Sequence, residues 1–525
     1  MYQLAERIMP DRLVPSIVAR AARRAPEASA VTLGDEKLDY AGLDALSNRI
    51  ARALKRIGVA RRDRVGLVVE KSPRAVSCLI GIMKADAVCV PLDPNAPPAR
   101  LAAMMDDCGI TAIFVSARRR DRLAAAAAAR TSPRTIICVD SDGSPDRDWA
   151  AVLAEKDAAP AQAVIGADLA CILYTSGSTG APKGVMITHR NVTAFSEWAS
   201  ETFALSPGDR MACHAPLHFD LTLFDLYAGF AAGASVDLVP PEIAMLGADL
   251  LDFLDERAIT VWQSTPSVLE LISARLRATR RELPSLRLVL FAGEPYPAPA
   301  LRALMEALPC ARFVNIYGST EMNDVAFHIL DGPPRGDEIP IGRPCADAEI
   351  FALDDAGALV TRPGTVGELY ARAPTVAAGY WGDPAATAAR FVQNPLHDEY
   401  RDVVCRTGDL AAFDENGDWF YRGRRDAQVK IRGVRINLAE VEAVVARFHD
   451  FAEAAVVARP GEDGGARLAV IAVARPDATP ALRDLRRHCL GALPASMTPE
   501  ALELRESLPK TSTGKIDRRA LLTAN

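Results

Sequence analysis

The chain has 525 residues, 49% of them hydrophobic, which excludes general disorder and allows several sizeable cores. Its 61 basic and 67 acidic side chains leave a formal net charge of −6, so no nucleic-acid partner is expected, since such binders carry a basic excess. The 10 cysteines occur singly, with no C-x-x-C pair, and argue for reduced thiols rather than a zinc ribbon or a disulfide framework.

The N-terminal stretch MYQLAERIMPDRLVPS lacks a basic start followed by an apolar run, and no stretch of 18 apolar residues follows anywhere. The expectation is therefore a soluble, cytoplasmic protein with no membrane partner. Leu43, Leu46, Ile50, Leu54 and Ile57 recur at spacings of three and four, the mark of an amphipathic helix. DRVGLVVE then reads as a strand, 75–84 as a helix and AVCVPLDP as a strand. TAIFVS, TIICVD and ACILYTS continue the strands, with helical segments such as 100–108 between them. The alternation predicts an α/β fold with parallel sheets. The low-complexity tract LAAAAAAR (123–130) suggests an exposed helix or connection. Short strands and turn signals over about 344–425 predict a small β-rich lobe. Beyond GRRDAQVK, VRINLAEVEAVVARF reads as a helix and AEAAVVARP and RLAVIAVARP as strands. The expected organisation is a large N-terminal core, 1–425, followed by a small α+β domain, 426–525, of ordinary domain size.

The stretch LYTSGSTGAPKGVMITH (173–189) packs Thr175, Ser176, Ser178, Thr179, Gly177 and Gly180 in front of Lys183. The Walker pattern needs Gly-Lys followed by a hydroxyl residue, whereas here Pro182 precedes the lysine and Gly184 follows it, so this is a different phosphate cradle. His214 and His218 stand four apart in HAPLH, but Pro216 lies between them, H-E-x-x-H is absent and no third ligand is evident, which argues against zinc. G-x-S-x-G is missing too, so no hydrolase nucleophile elbow is supported.

Six strings, in order, resemble the adenylate-forming superfamily of acyl-CoA synthetases, luciferases and peptide-synthetase adenylation domains. They are YTSGSTGAPKGV (174–185), NIYGSTE (315–321), GELYARAPTVAAGYW (367–381), CRTGDL (405–410), GRRDAQVKIRGVRI (423–436) and LPKTSTGKIDRRAL (508–521). The resemblance covers nearly the whole chain and implies ATP and Mg²⁺ as cofactors. It casts Thr175–Gly180 and Lys183 as a clamp on the ATP phosphates, through backbone N–H groups, hydroxyls and one positive charge. It implies Asn315, Tyr317 and Gly318 around the adenine, Thr320 near the α-phosphate, and Glu321 as the magnesium carboxylate. Asp409 matches the ribose-binding aspartate and Arg424 the arginine beside it. Lys515 matches the lysine that bridges the attacking carboxylate and the α-phosphate, where a fixed ammonium offsets developing charge. Asp426 matches the hinge between the domains, and KIRGVRI would then swing in and bring Gly433 beside a tunnel for a thiol-bearing arm.

Substrate class turns on HFDLTLFDLY (218–227). Asp220 falls where peptide-synthetase domains hold the α-ammonium of an amino acid, because a buried carboxylate needs a cationic partner; its rival role is to cap a helix starting at Leu221. By the same alignment Asp220, Leu221, Phe224, Gln263, Leu290, Ala292, Ile316, Asp324 and Val325 line the pocket. Four of these resemble stand-alone prolyl adenylating enzymes, but Gln263 and Asp324 depart from that pattern. The expected substrate is a small amino acid: proline-like, glycine, alanine or a short polar one. No carrier segment follows Lys515 in this sequence, so the expected acceptor is the phosphopantetheine arm of a separate carrier protein. Thr513, where peptide synthetases commonly have Asn, keeps an acyl-CoA synthetase as the alternative, and a homologue that binds nucleotide without turnover is the non-enzyme alternative.

Overall fold

Alternating strand and helix dominate the first 330 residues, as the hydrophobic patterning requires. The computed structural model describes residues 12–127, 135–140, 148–176, 182–425, 428–461, 466–476, 478–509 and 521. The helix Tyr40–Arg56 begins where the Asp39 side chain accepts from Gly42 N, and it buries Leu43, Ile50 and Leu54. It packs on the helix Pro73–Lys84, whose first turn Ser72 caps at Ala75 N. Side-chain caps of this kind satisfy amides that the helix leaves open.

Two large sheets result. One has six strands in the order Thr135–Cys138, Ala112–Val115, Arg64–Val68, Val88–Pro91, Leu169–Thr175, Lys183–Thr188. Its pairs are parallel apart from the last, in which Thr175 faces Lys183. The other has nine strands and contains Val261–Ser264, Leu288–Ala292, Arg312–Ser319 and Asn323–Leu330 as consecutive neighbours. The first three are mutually parallel, so their carboxyl ends open on one edge, the usual place for a ligand in such sheets. Continuous apolar runs such as Leu288–Ala292, buried along its length, suit strands covered on both faces. One core cluster includes residues of both sheets, among them Val65, Phe114, Leu290 and Val314.

The β-rich lobe is a five-stranded sheet of Glu349–Leu353, Gly367–Arg372, Val403–Phe413, Phe391–Gln393 and Trp419–Arg424. After residues 426–427, which include Asp426 and lie outside the described set, comes a hairpin of Gln428–Ile431 and Val434–Asn437. A three-stranded sheet and the helices Leu438–Val445 and Leu482–Leu490 complete the small domain around its own core of Ile436, Val441, Val470 and Leu485. The segment from Val434 thus departs from the helical reading of its pattern: 434–437 is strand. The helix starts only after Asn437, whose side chain accepts from Ala439 N at 2.9 Å, because Asn competes for local backbone amides and favours caps. The alanine tract is helical as far as Ala127. Among the described residues no helix is long and apolar enough to cross a membrane.

Lys84 is fully buried, its ammonium donating to Asp44 Oδ1 at 2.6 Å and Asn48 Oδ1 at 2.7 Å. Removing Asp44 strands the fully buried Lys84 charge, whereas removing the Lys84 charge leaves an Asp44 carboxylate whose side chain is 25% exposed and can be hydrated. We therefore expect Asp44→Ala to destabilise the protein by ~3 kcal/mol and Lys84→Met by less, as read from urea unfolding midpoints.

Candidate active site

The parallel strand ends open into a cavity of about 180 Å³. Ala292, Gly293, Ser319 and Thr320 supply its floor, Phe219–Phe224 one wall, and Lys430, Gly433 and Arg435 of the small domain its cover.

Asp220 sits in the turn before a helical segment, Leu223–Ala228, whose first residues receive no side-chain cap. Its carboxylate is used otherwise: Oδ2 accepts from Thr320 Oγ1 at 2.5 Å, inside the cavity. The helix-cap role is thereby excluded. Leu221, Phe224, Gln263, Ala292 and Asp324 line the same space. Leu290 and Ile316 are fully buried in the apolar cluster that includes Phe224, behind the cavity surface. Val325 does not belong to the lining. Side chains alternate along the strand Asn323–Leu330, so with Asp324 on the cavity side Val325 packs with Met322 and Ile350 against the β-rich lobe.

Strand Arg312–Ser319 carries NIYGSTE to the cavity floor. Gly318 is required by close approach, since a Cβ there would lie 1.9 Å from Asn323 O. Tyr317 is buried and its hydroxyl donates to Asp409 Oδ2 at 2.5 Å. Burial, then the Asp409 charge, pushes this phenol well above its ordinary pKa. Asp409 stands opposite Arg424 in adjacent strands, and the guanidinium donates to its other oxygen. Asn315 Nδ2 donates to Pro340 O at 2.7 Å. The structure thus unites Tyr317, Asp409 and Arg424 across two sheets.

The phosphate-loop sequence connects an antiparallel pair. Thr175 and Ser176 line the cavity, and Lys183 stands 5.4 Å above the Tyr380 ring and 4.0 Å from Asp383. Gly177, Ser178, Thr179 and Gly180 lie outside the described residues, as does Lys515. His214 is engaged by Ala244 O at 2.9 Å and Ser264 Oγ at 3.0 Å.

Glu321 is fully buried. Its carboxylate accepts from Tyr380 Oη at 2.6 Å and from Arg435 Nη1 at 2.8 and 2.6 Å, with Arg390 Nη2 3.9 Å away. Burial alone would raise its pKa. Arg435 and Arg390 outweigh that effect and hold it well below the usual carboxylate range. A permanently ionised hard-oxygen donor suits Mg²⁺, but in this domain arrangement Arg435 occupies both oxygens. Metal binding at Glu321 and this position of Arg435 are therefore alternatives.

The hairpin that delivers Arg435 is fixed at several points. Lys430 pairs with Arg435 across it, so both project from one face. Lys430 Nζ reaches towards Gly318 O at 3.5 Å, Arg435 O accepts from Ser176 Oγ at 2.7 Å, and Gly433 N donates to Glu294 Oε1 at 2.5 Å. Arg100 and Glu440 add an ion pair of 2.5 Å between the domains. Gly433 has φ +76 and would place a Cβ 2.2 Å from Thr265 Cγ2. Lys430, Arg435, Arg390 and Glu294 were not identified as site residues from sequence. The basic residues alternating around Gly433 in KIRGVR are the signal that could have found the first two; Arg390 and Glu294 carry none, since only tertiary packing brings them here.

Residues 18–381 match the AMP-binding enzyme family and residues 440–515 the AMP-binding enzyme C-terminal domain. The chain is 35% identical to an L-proline–(L-prolyl-carrier protein) ligase of Pseudomonas fluorescens, with 98% of this chain and 99% of that protein covered. A ligase of the same name from Streptomyces coelicolor is 34% identical, with 93% and 92% covered. The fold is similar to the amide bond synthetase McbA from Marinactinospora thermotolerans, with a TM-score of 0.87 at 24% identity over 97% of this chain and 99% of that one. Matched over both its large and small domains, the chain belongs to the AMP-binding enzymes of the adenylate-forming superfamily.

Proposed function

We propose that this enzyme uses ATP to activate a small amino acid as aminoacyl-AMP, releasing pyrophosphate, and then transfers the aminoacyl group to the phosphopantetheine thiol of a separate carrier protein. The observation that carries this reading is the Asp220 carboxylate, inside a mainly apolar cavity and hydrogen-bonded to Thr320. Such a group calls for a cation, and the α-ammonium of an amino acid supplies one that a fatty or aryl acid lacks. The carrier-protein ligases among its relatives support the same conclusion.

The chemistry forces two anions together, the substrate carboxylate and the α-phosphate, so charge repulsion is the main barrier. Asp220 and Thr320 hold the amino acid by its ammonium and orient its carboxylate. Asp409 and Arg424 receive the ribose end of the nucleotide, and Thr175–Gly180 with Lys183 its phosphates. Glu321 would hold Mg²⁺, whose charge neutralises phosphate oxygens. Lys515 brings its ammonium between the reacting groups. In the second step the carrier thiol, losing its proton, attacks the carbonyl carbon; the C–S bond forms as the C–O bond to AMP breaks. Gly433 leaves room for the approaching arm beside Gly293 and Thr265.

An ATP–pyrophosphate exchange panel over amino acids, followed by mass detection of the thioester on candidate carrier proteins, tests the proposal. Exchange with amine-free acids alone would replace it by the acyl-CoA synthetase reading, and exchange with no acid by the nucleotide-binding one. Lys515→Ala should lower the rate of adenylate formation by about 10²–10³-fold or more in a single-turnover assay. Gly433→Leu should leave exchange within a few-fold yet lower carrier loading by roughly 10²-fold, because the added side chain displaces the hairpin from Thr265.

A further inference from the structure

Beyond Asp220, the cavity presents two acceptors that the α-ammonium of an amino acid does not account for. Asp324 lines the cavity from the strand next to Gly318. Burial, and next the charge of Asp220, pushes its carboxyl up to about 7, while Lys430 acts in the opposite direction. Gln263 approaches from a different strand. Only 3% of it is exposed, and its Oε1 has no hydrogen-bond partner among the described residues. A buried acceptor left unpaired is destabilising. The remaining lining on this side, Leu221, Phe224 and Ala292, offers no side-chain hydrogen-bonding group, and although Lys430 enters the same cavity, the Gln263 oxygen has no donor among the described residues and is left for the substrate to satisfy.

We infer that the substrate is an α-amino acid whose short side chain ends in a hydrogen-bond donor, a hydroxyl or an ammonium on its β or γ atom, received by Asp324 with Gln263 on the far wall. This rests on the amino-acid reading above and narrows it. Asp220 and Asp324 line the same cavity, so with the α-ammonium at Asp220 a short side chain carries its donor towards Asp324. Phe224 limits the depth. The saturated ring of proline offers no such donor and would leave the Gln263 oxygen unpaired. A site built to bond a hydroxyl or amine rejects the isostere that lacks it far more strongly than an apolar site rejects an extra methylene.

The test compares kcat/KM for exchange within isosteric pairs, serine against alanine and 2,3-diaminopropionate against 2-aminobutyrate, with proline and glycine alongside. The donor-bearing member of at least one pair should exceed its partner by about 10²-fold or more. Asp324→Ala should collapse that ratio towards one, while desamino analogues stay rejected. Asp324→Asn, which keeps shape and an acceptor oxygen, separates the two donors: a hydroxyl substrate persists and an ammonium substrate is lost. Proline or alanine as the best wild-type substrate would overturn the inference. So would a uniform loss across the panel in Asp324→Ala, which would assign Asp324 to the α-ammonium. Exchange confined to acids without an amine would instead defeat the underlying amino-acid reading, so the two failures are distinguishable.

Discussion

The buried carboxylate of Glu321 is the point on which this arrangement depends. It stands one residue past Thr320, at the end of a segment that leaves the nine-stranded sheet, and water does not reach it. An ion so placed is tolerable only if paired and hydrogen-bonded. Its partners come from three parts of the molecule: Arg435 from the small-domain hairpin, and Tyr380 and Arg390 from the segment preceding and forming the helix Pro384–Arg390. Withdrawal of Arg435 would expose a carboxylate that must find another cation. In this arrangement the Arg435–Glu321 pair links the two domains.

This dependence explains why the hairpin seats so closely. Arg435 can reach Glu321 only if the turn at Gly433 passes close to Thr265 and Gly293, where a side chain would clash. Backbone contacts finish the docking: Ser176 bonds the Arg435 carbonyl and Glu294 bonds the Gly433 amide. Ser176, the Glu321 carboxylate and the hairpin thus meet at one corner. Lys430, carried on the same face, enters a cavity that already holds Asp220 and Asp324; burial lowers its pKa, and the neighbouring Asp409 and Asp220 charges oppose that.

The apolar framework fixes the remaining geometry. Parallel strands covered on both faces require continuous hydrophobic runs, and those runs bring Ala292, Ser319 and Gln263 to one sheet edge. Polar groups at that edge stand on a rigid base, which limits their freedom to find other partners. Among the described residues the amide oxygen of Gln263 is left there without a partner.

The sequence by itself determined the alternation of strand and helix, the β-rich lobe, the separate small domain and the six motifs, because these depend on local periodicity and on short strings with chemical meaning. The family resemblance also pointed to Asp220, Leu221, Phe224, Gln263, Ala292 and Asp324, which line the cavity, because a motif carries its register with it. It misjudged 434–437, where a cap at Asn437 outweighs a helical pattern, and Val325, where a single alternation of side chains decides which core is entered. Only the tertiary structure decided whether Asp220 caps a helix or faces the cavity, because both roles begin with the same residue before the same helical segment. The pairing of Glu321 with Arg435 was likewise hidden: 114 positions separate them, and nothing local records which buried charge a distant hairpin will meet.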